Sequence, residues 1–207
     1  MNNFPIIPVT KSAKASRRLI FGVGINDADY FTQTKLNGKT VVCPFYMRWK
    51  SMITRCYSPN YHKQFPTYVG CEVCSEWLTF SVFKSWMQDQ EWEGNQLDKD
   101  LIIPGNKIYS PEACVFISAK LNYLFLDCGS ARGKYKQGVY FNKTRKMYVA
   151  LCCVDGKQLT VGSFESEKDA GKAYNKFKKK HVENIALSQN NAKLRRALLL
   201  MSERYST

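Results

Sequence analysis

The stretch from Gln137 to His181 constrains the fold of this chain more than any other. Three runs, Gln137–Asn142, Met147–Val154 and Lys157–Phe164, alternate between core-seeking and solvent-tolerant side chains. A period of two belongs to half-buried strands. Asp155-Gly156 separates the second run from the third. That dipeptide tolerates positive φ at both central positions of a type I′ turn, so it ties the two runs into a hairpin. The first hairpin turn falls near Lys143–Lys146. A helix is expected over Ser166–His181, with Ser166 as N-cap and Asp169 completing a capping-box-like pattern. The alternation sends Val139, Phe141, Tyr148, Ala150, Cys152, Leu159 and Val161 toward that helix. Tyr140, Asn142, Val149, Leu151, Cys153, Gln158 and Thr160 should face outward.

Charge gathers in the same region. The chain has 31 Lys/Arg against 17 Asp/Glu in 207 residues, a formal net charge of +14. Thirteen Lys/Arg and only four Asp/Glu lie between Arg132 and His181. Such a concentrated excess attracts polyanions, nucleic acid first among them, with a membrane surface as the rival partner. The apolar stretches are too short for a transmembrane helix, and Met1–Lys14 lacks the pattern of a secretory signal. Eight cysteines in such a chain suggest a reducing compartment, and hence the cytoplasm. Free thiols or a metal site are then expected before disulfides.

Upstream, Met1–Arg18 reads as a flexible basic arm whose Lys11, Lys14, Arg17 and Arg18 could track phosphates, or as a solvated tail. Helical spacing of Tyr46, Trp49, Met52, Ile53 and Cys56 predicts a helix over Pro44–Cys56. A second is expected over Glu76–Gln88, with its aromatics in the core. Gln96–Ile103 and Ala113–Ser118 read as strands and Ala119–Asp127 as a helix, before a glycine-bearing linker at Cys128–Lys134. A last amphipathic helix spans Asn191–Arg204. The class is α+β, in four parts: 1–42 a basic arm and extension, 43–128, 129–188, and a C-terminal helix in 189–207.

Residues 43–126 carry a series of short motifs. They include Arg48-Trp49-Lys50-Ser51-Met52, Arg55-Cys56-Tyr57, Leu97-Asp98-Lys99-Asp100, Gly105-Asn106, Tyr109-Ser110-Pro111-Glu112-Ala113-Cys114 and Asn122. Together they resemble a phage-type branch of the HNH endonucleases. The resemblance implies a helical, aromatic N-terminal region leading into a ββα-metal module. Asp98 matches the metal-binding acid and Asn122 the helix-borne ligand of Mg²⁺ or Mn²⁺. Lys99 stands where the family has its general-base His, and Ala113 where it has the middle Asn. A lysine near its usual pKa cannot take a proton from water at neutral pH, although it can hold a phosphate. His62, one of two histidines, is a substitute base that could reach the site. Without the flanking motifs, Asp98 and Asp100 would read as strand-end charges paired with Lys99 or Lys107.

Cys71 and Cys74 form a Cys-x-x-Cys pair that could begin a structural Zn²⁺ site, although no second close pair accompanies it. Farther on, Gly138-Val139-Tyr140, Tyr148-Val149-Ala150, Val161-Gly162-Ser163-Phe164-Glu165 and Ala173-Tyr174 resemble the Apetala-type DNA-binding domain. That resemblance implies a free sheet face in the major groove. Contacts are expected from Tyr140, Asn142, Lys143, Arg145, Lys146, Lys157, Gln158 and Thr160, weighted toward phosphate. Val149 and Leu151 could instead mark a protein-contact patch. Three functions stay open on these residues: a homing-like, metal-dependent DNA endonuclease; a non-catalytic DNA-binding regulator or anti-defence protein on a decayed nuclease scaffold; and a virion interaction component.

Overall fold

A proline at the first helical turn and apolar residues every three or four positions give Pro44–Tyr57 one buried stripe. The structure, a computed structural model, describes residues 4–125 and 134–206. It is mixed α+β with small sheets. The chain divides into two units, Met1–Phe116 and Ile117–Thr207, where the sequence suggested a boundary at 128/129. Among the described residues no helix is long and apolar enough to cross a membrane.

In the first unit the elements are α1 (Lys11–Ala15), β1 (Gln33–Leu36), β2 (Lys39–Val42), α2 (Pro44–Tyr57), α3 (Pro59–Gln64), β3 (Glu72–Val73), α4 (Phe80–Gln88), β4 (Gln96–Asp98) and β5 (Ile108–Tyr109), and β6 (Val115–Ile117) runs through the division itself. The core is aromatic. Trp49 is fully buried, and its indole N–H donates to the Trp77 carbonyl at 2.7 Å. Trp77 meets Phe83 edge-on at 5.1 Å, and Trp86 stacks on Phe116 at 5.8 Å. Such pairs add about 0.5–1.5 kcal/mol each beyond their burial. The helix expected from Glu76 begins only at Phe80, because Ser75–Leu78 first forms a 3₁₀ turn. The Asp27 carboxylate accepts from the Ser81 N–H at 2.9 Å and satisfies that helix start.

From Phe4 onward, the N-terminal segment is not a flexible arm. Its backbone is tied to the core by Val9 N–H to the Asp29 carbonyl and Phe31 N–H to the Ile7 carbonyl, both 2.9 Å. Arg17 Nη1 donates to the Ala28 carbonyl at 2.6 Å and to the Asn26 carbonyl at 3.0 Å, and Nη2 to the Tyr30 carbonyl at 2.9 Å. Arg17 therefore organises the loop before β1. A second departure is the β1–β2 hairpin, turned at Asn37-Gly38 with φ of 50° and 73°. The strand expected over Gln96–Ile103 stops at Asp98, and a short strand, β5, pairs in parallel with β3.

In the second unit, α5 (Ala119–Leu124) precedes β7 (Val139–Asn142), β8 (Met147–Val154), β9 (Lys157–Phe164), α6 (Glu167–Leu187) and α7 (Ala192–Ser202). The expected Cys128–Lys134 linker and the end of the Ala119–Asp127 helix fall largely outside the described residues. The sheet is antiparallel in the order β7-β8-β9, and α6 packs against β8 and β9. Asp155 and Gly156 have φ of 50° and 78°, the type I′ signature. Lys146, also left-handed at φ 51°, closes the first turn. Ser166 caps α6: its Oγ accepts from the Asp169 N–H at 3.1 Å and donates to the Asp169 carboxylate at 2.6 Å. That helix runs past the expected end at His181, since Val182 and Ala186 continue its buried face and α7 packs beside it.

A register shift changes how the alternation works out. Ala150 pairs Gly162 but Leu151 pairs Thr160, which leaves Val161 as the extra residue of a β-bulge. Cys152 is buried and Cys153 exposed, as adjacent strand residues should be. Leu159 departs from expectation: it pairs with Cys152 yet is 44% exposed, so the helix does not cover it. Val149 departs in the other sense. It lies on the face away from α6 but is only 4% exposed, so Val149 cannot serve as an open contact patch with Leu151.

Candidate nucleic-acid interface and metal-binding carboxylate

Residues 98–108 have little regular structure, and three side chains hold them in place. Asp98 Oδ1 accepts from the backbone N–H of Asp100 at 3.0 Å and of Leu101 at 2.7 Å. Lys99 Nζ donates to Asp100 Oδ2 and to the Asn106 carbonyl, both at 3.0 Å. Asn106 Nδ2 returns to the Lys99 carbonyl at 2.7 Å and reaches the Ile108 carbonyl at 2.6 Å. The loop is thus latched from both ends, which fixes Asp98 at the end of β4.

Lys99 is 8% exposed. Burial opposes its charge, but the hydrogen bond to Asp100 and that carboxylate's field outweigh burial and raise its pKa. Lys99 is therefore protonated and spent on the loop, and neither general-base work nor phosphate holding is open to it. Asp98 behaves differently. Burial raises its pKa, the Leu101 N–H opposes the rise, and the Asp100 charge adds to it. Both backbone donors use Oδ1, which fixes the carboxylate's orientation, and burial keeps it partly from water.

Next to this loop, several residues of the sequence motifs meet in one cluster. Arg55 hydrogen-bonds Tyr109 and sits over the Tyr68 ring at 5.9 Å. His62 Nε2 donates to the Arg55 carbonyl at 2.9 Å and ties α3 to α2, which gives this histidine a structural task. Cys71 is buried and Cys74 half-buried, both as free thiols. Among the described residues no group of three or more His, Cys, Asp or Glu side chains is placed to hold a metal ion. Asn122 lies exposed on α5 in the second unit, while Asp98 belongs to the first.

The second unit presents its cations at the two ends of the sheet. Lys143, Arg145 and Lys146 crowd the β7–β8 turn, and Lys157 follows the β8–β9 turn. All four are exposed, and among the described residues none enters an ion pair. An eight-residue strand separates the two turns, which is roughly 25 Å at about 3.3 Å per residue. On the face away from α6, Tyr140, Gln158 and Thr160 are exposed. Asn142 is half-buried, and its Oδ1 accepts from the Arg145 N–H at 3.0 Å, so it shapes the turn. Leu151 is half-buried. In the first unit Arg18 is exposed, whereas Arg17 is committed to backbone carbonyls.

Lys178 also belongs to the interior of the second unit. It is 5% exposed on α6 beside Cys152, and burial lowers its pKa. It counts toward the net charge but not toward the surface field.

No family model matches the chain, and neither a curated protein nor a solved structure does.

Proposed function

We propose that the chain binds double-stranded DNA, with the three-stranded sheet of its second unit laid across a groove. One observation carries this: free cations stand at both ends of a sheet roughly 25 Å long, and exposed polar side chains lie between them. A B-form major groove is about 12 Å wide, so cations so spaced can reach the phosphates on both rims. Tyr140, Gln158 and Thr160 would meet base edges, and Val149, being buried, would not. Phosphate contact dominates this set, which favours affinity over sequence discrimination. A Lys143→Ala/Arg145→Ala/Lys146→Ala variant should bind a duplex more weakly. The slope of log affinity against log salt should become shallower by about 0.9 for each phosphate left unneutralised. Fluorescence anisotropy over a salt series measures both; wild-type binding indifferent to salt would sink the reading.

Metal-dependent cleavage of DNA is the second reading, favoured by Asp98. Its carboxylate is held by backbone donors through Oδ1 and kept partly from water. Asp98 is the carboxylate that the HNH resemblance assigns to the metal, and hard oxygen donors of this kind suit Mg²⁺ or Mn²⁺. The bound ion would supply charge stabilisation at a phosphate oxygen. The chain's own part is to hold the acid rigid. The locked Lys99 weighs instead toward a regulator on a nuclease-like scaffold, acting in a reducing cytoplasm.

Asp98→Asn separates the two. Asparagine keeps an oxygen to accept from Asp100 and Leu101, so the loop survives. In the wild type the folded-state pKa of Asp98 is raised, so its favourable contribution is complete below the unfolded pKa and lost as pH rises through the folded one. The asparagine variant should therefore be at least as stable as wild type at neutral pH. If Asp98 is catalytic, plasmid nicking with Mg²⁺ or Mn²⁺ falls to background while duplex binding persists. Equal nicking by the two proteins would exclude Asp98 from the chemistry.

A further inference from the structure

No carboxylate lies between Asp29 and Glu72, yet Lys35, Lys39, Arg48, Lys50, Arg55 and Lys63 all do. This second basic stretch belongs to the first unit, apart from the sheet cations. At its start stands the β1–β2 hairpin. The hairpin's root is fixed: Cys43 N–H donates to the Thr32 carbonyl at 2.9 Å, and Tyr30, Thr32 and Cys43 are all buried. The tip is bare. Lys35, Leu36, Asn37, Gly38, Lys39 and Thr40 are all exposed, and Leu36 pairs with Lys39 across the turn. A lone two-stranded ribbon is marginal in water. This one is held by its buried root and by a type I′ turn whose φ values are 50° and 73°.

We propose that the β1–β2 hairpin is a second DNA-contacting element, entering the major groove of duplex DNA with Lys35 and Lys39 on the phosphates. The inference rests on the DNA-binding reading above. The major groove admits a two-stranded ribbon. Four residues per strand reach roughly 13 Å at about 3.3 Å each, more than the groove's depth of about 8.5 Å. The occupant must be a polyanion, because the tip carries two cations and its surroundings in sequence hold no acid. Leu36 adds an apolar group of the kind that meets a thymine methyl.

The test is a Lys35→Ala/Lys39→Ala variant of the full chain, measured by anisotropy on a random-sequence DNA duplex over a salt series and on a duplex RNA of equal length. Both side chains are solvent-exposed, so an unchanged thermal midpoint serves as the folding control. On DNA the expected result is roughly tenfold weaker binding at moderate salt, with the salt slope reduced by about two. Duplex RNA has a deep, narrow major groove that a ribbon cannot enter, so there the variant should match wild type. Wild-type binding to DNA with an unchanged variant overturns the hairpin's role and leaves the sheet reading intact. Equal losses on DNA and RNA overturn groove entry. Failure of the wild type to bind DNA at all sinks the underlying reading and this proposal with it.

Discussion

Gly138→Ala is expected to lower stability by about 2–5 kcal/mol, combining left-handed strain with overpacking, and the unfolding midpoint by roughly 10 °C or more. Gly138 has φ +72°, and a Cβ built there would fall within the Tyr174 ring. Neither side can easily give way. Tyr174 is buried between α6 and the sheet, and the Gly138 carbonyl accepts from the Leu151 N–H at 2.7 Å. Gly156→Ala is the comparison. Its φ is +78°, but a Cβ there meets nothing within 4 Å, so only backbone strain of about 1–2 kcal/mol applies. Denaturant unfolding of the two variants isolates the ring clash as the difference between them. Equal destabilisation would show that the ring moves aside.

Trp49→Ala should be comparably severe in the first unit. The side chain is fully buried, 5.5 Å from Phe80 and 5.7 Å from Tyr46 between ring centres. It also roofs Gly24, where an added Cβ would come within 3.2 Å of the indole. Truncation removes about 3–5 kcal/mol of packing and orphans the Trp77 carbonyl, a further 1–3 kcal/mol or so. Against a total stability of about 5–15 kcal/mol, the variant should lose a large part of its margin against unfolding. Trp49→Phe keeps most of the ring volume and removes the donor, so it should fall about midway. Tryptophan fluorescence and far-ultraviolet dichroism in denaturant measure both. A Trp49→Ala effect below about 2 kcal/mol would mean the core refills the space.

Local chemistry decides which elements are legible from sequence. Asp155-Gly156 and Ser166 each specify a turn or a cap through their own backbone preferences, and β8, β9 and the start of α6 follow from them. Trp49 and its neighbours declare α2 by spacing alone. Asn37-Gly38 carries the same kind of turn signal as Asp155-Gly156. Its flanking strands are four residues each and mostly polar, so alternation there is faint and the turn dipeptide is the one usable sign. Other features need partners distant in the chain. Ile108–Tyr109 becomes a strand only because Glu72–Val73 lies alongside. Arg17 looks like a phosphate contact until the carbonyls of Ala28 and Tyr30 are in place. Lys99 looks like an exposed catalytic variant until Asn106 folds back to receive it. Alternation puts Val149 on the outer face correctly and cannot reveal that this position is covered.

The division of the chain at Phe116 has a kinetic corollary. If both proposed contacts are made, a duplex released by one would still be held through the other, and rebinding would become an intramolecular event at high effective concentration. Complete escape would then need both contacts to open together. Residence on DNA should then drop far more steeply with added salt than either grip alone would suggest.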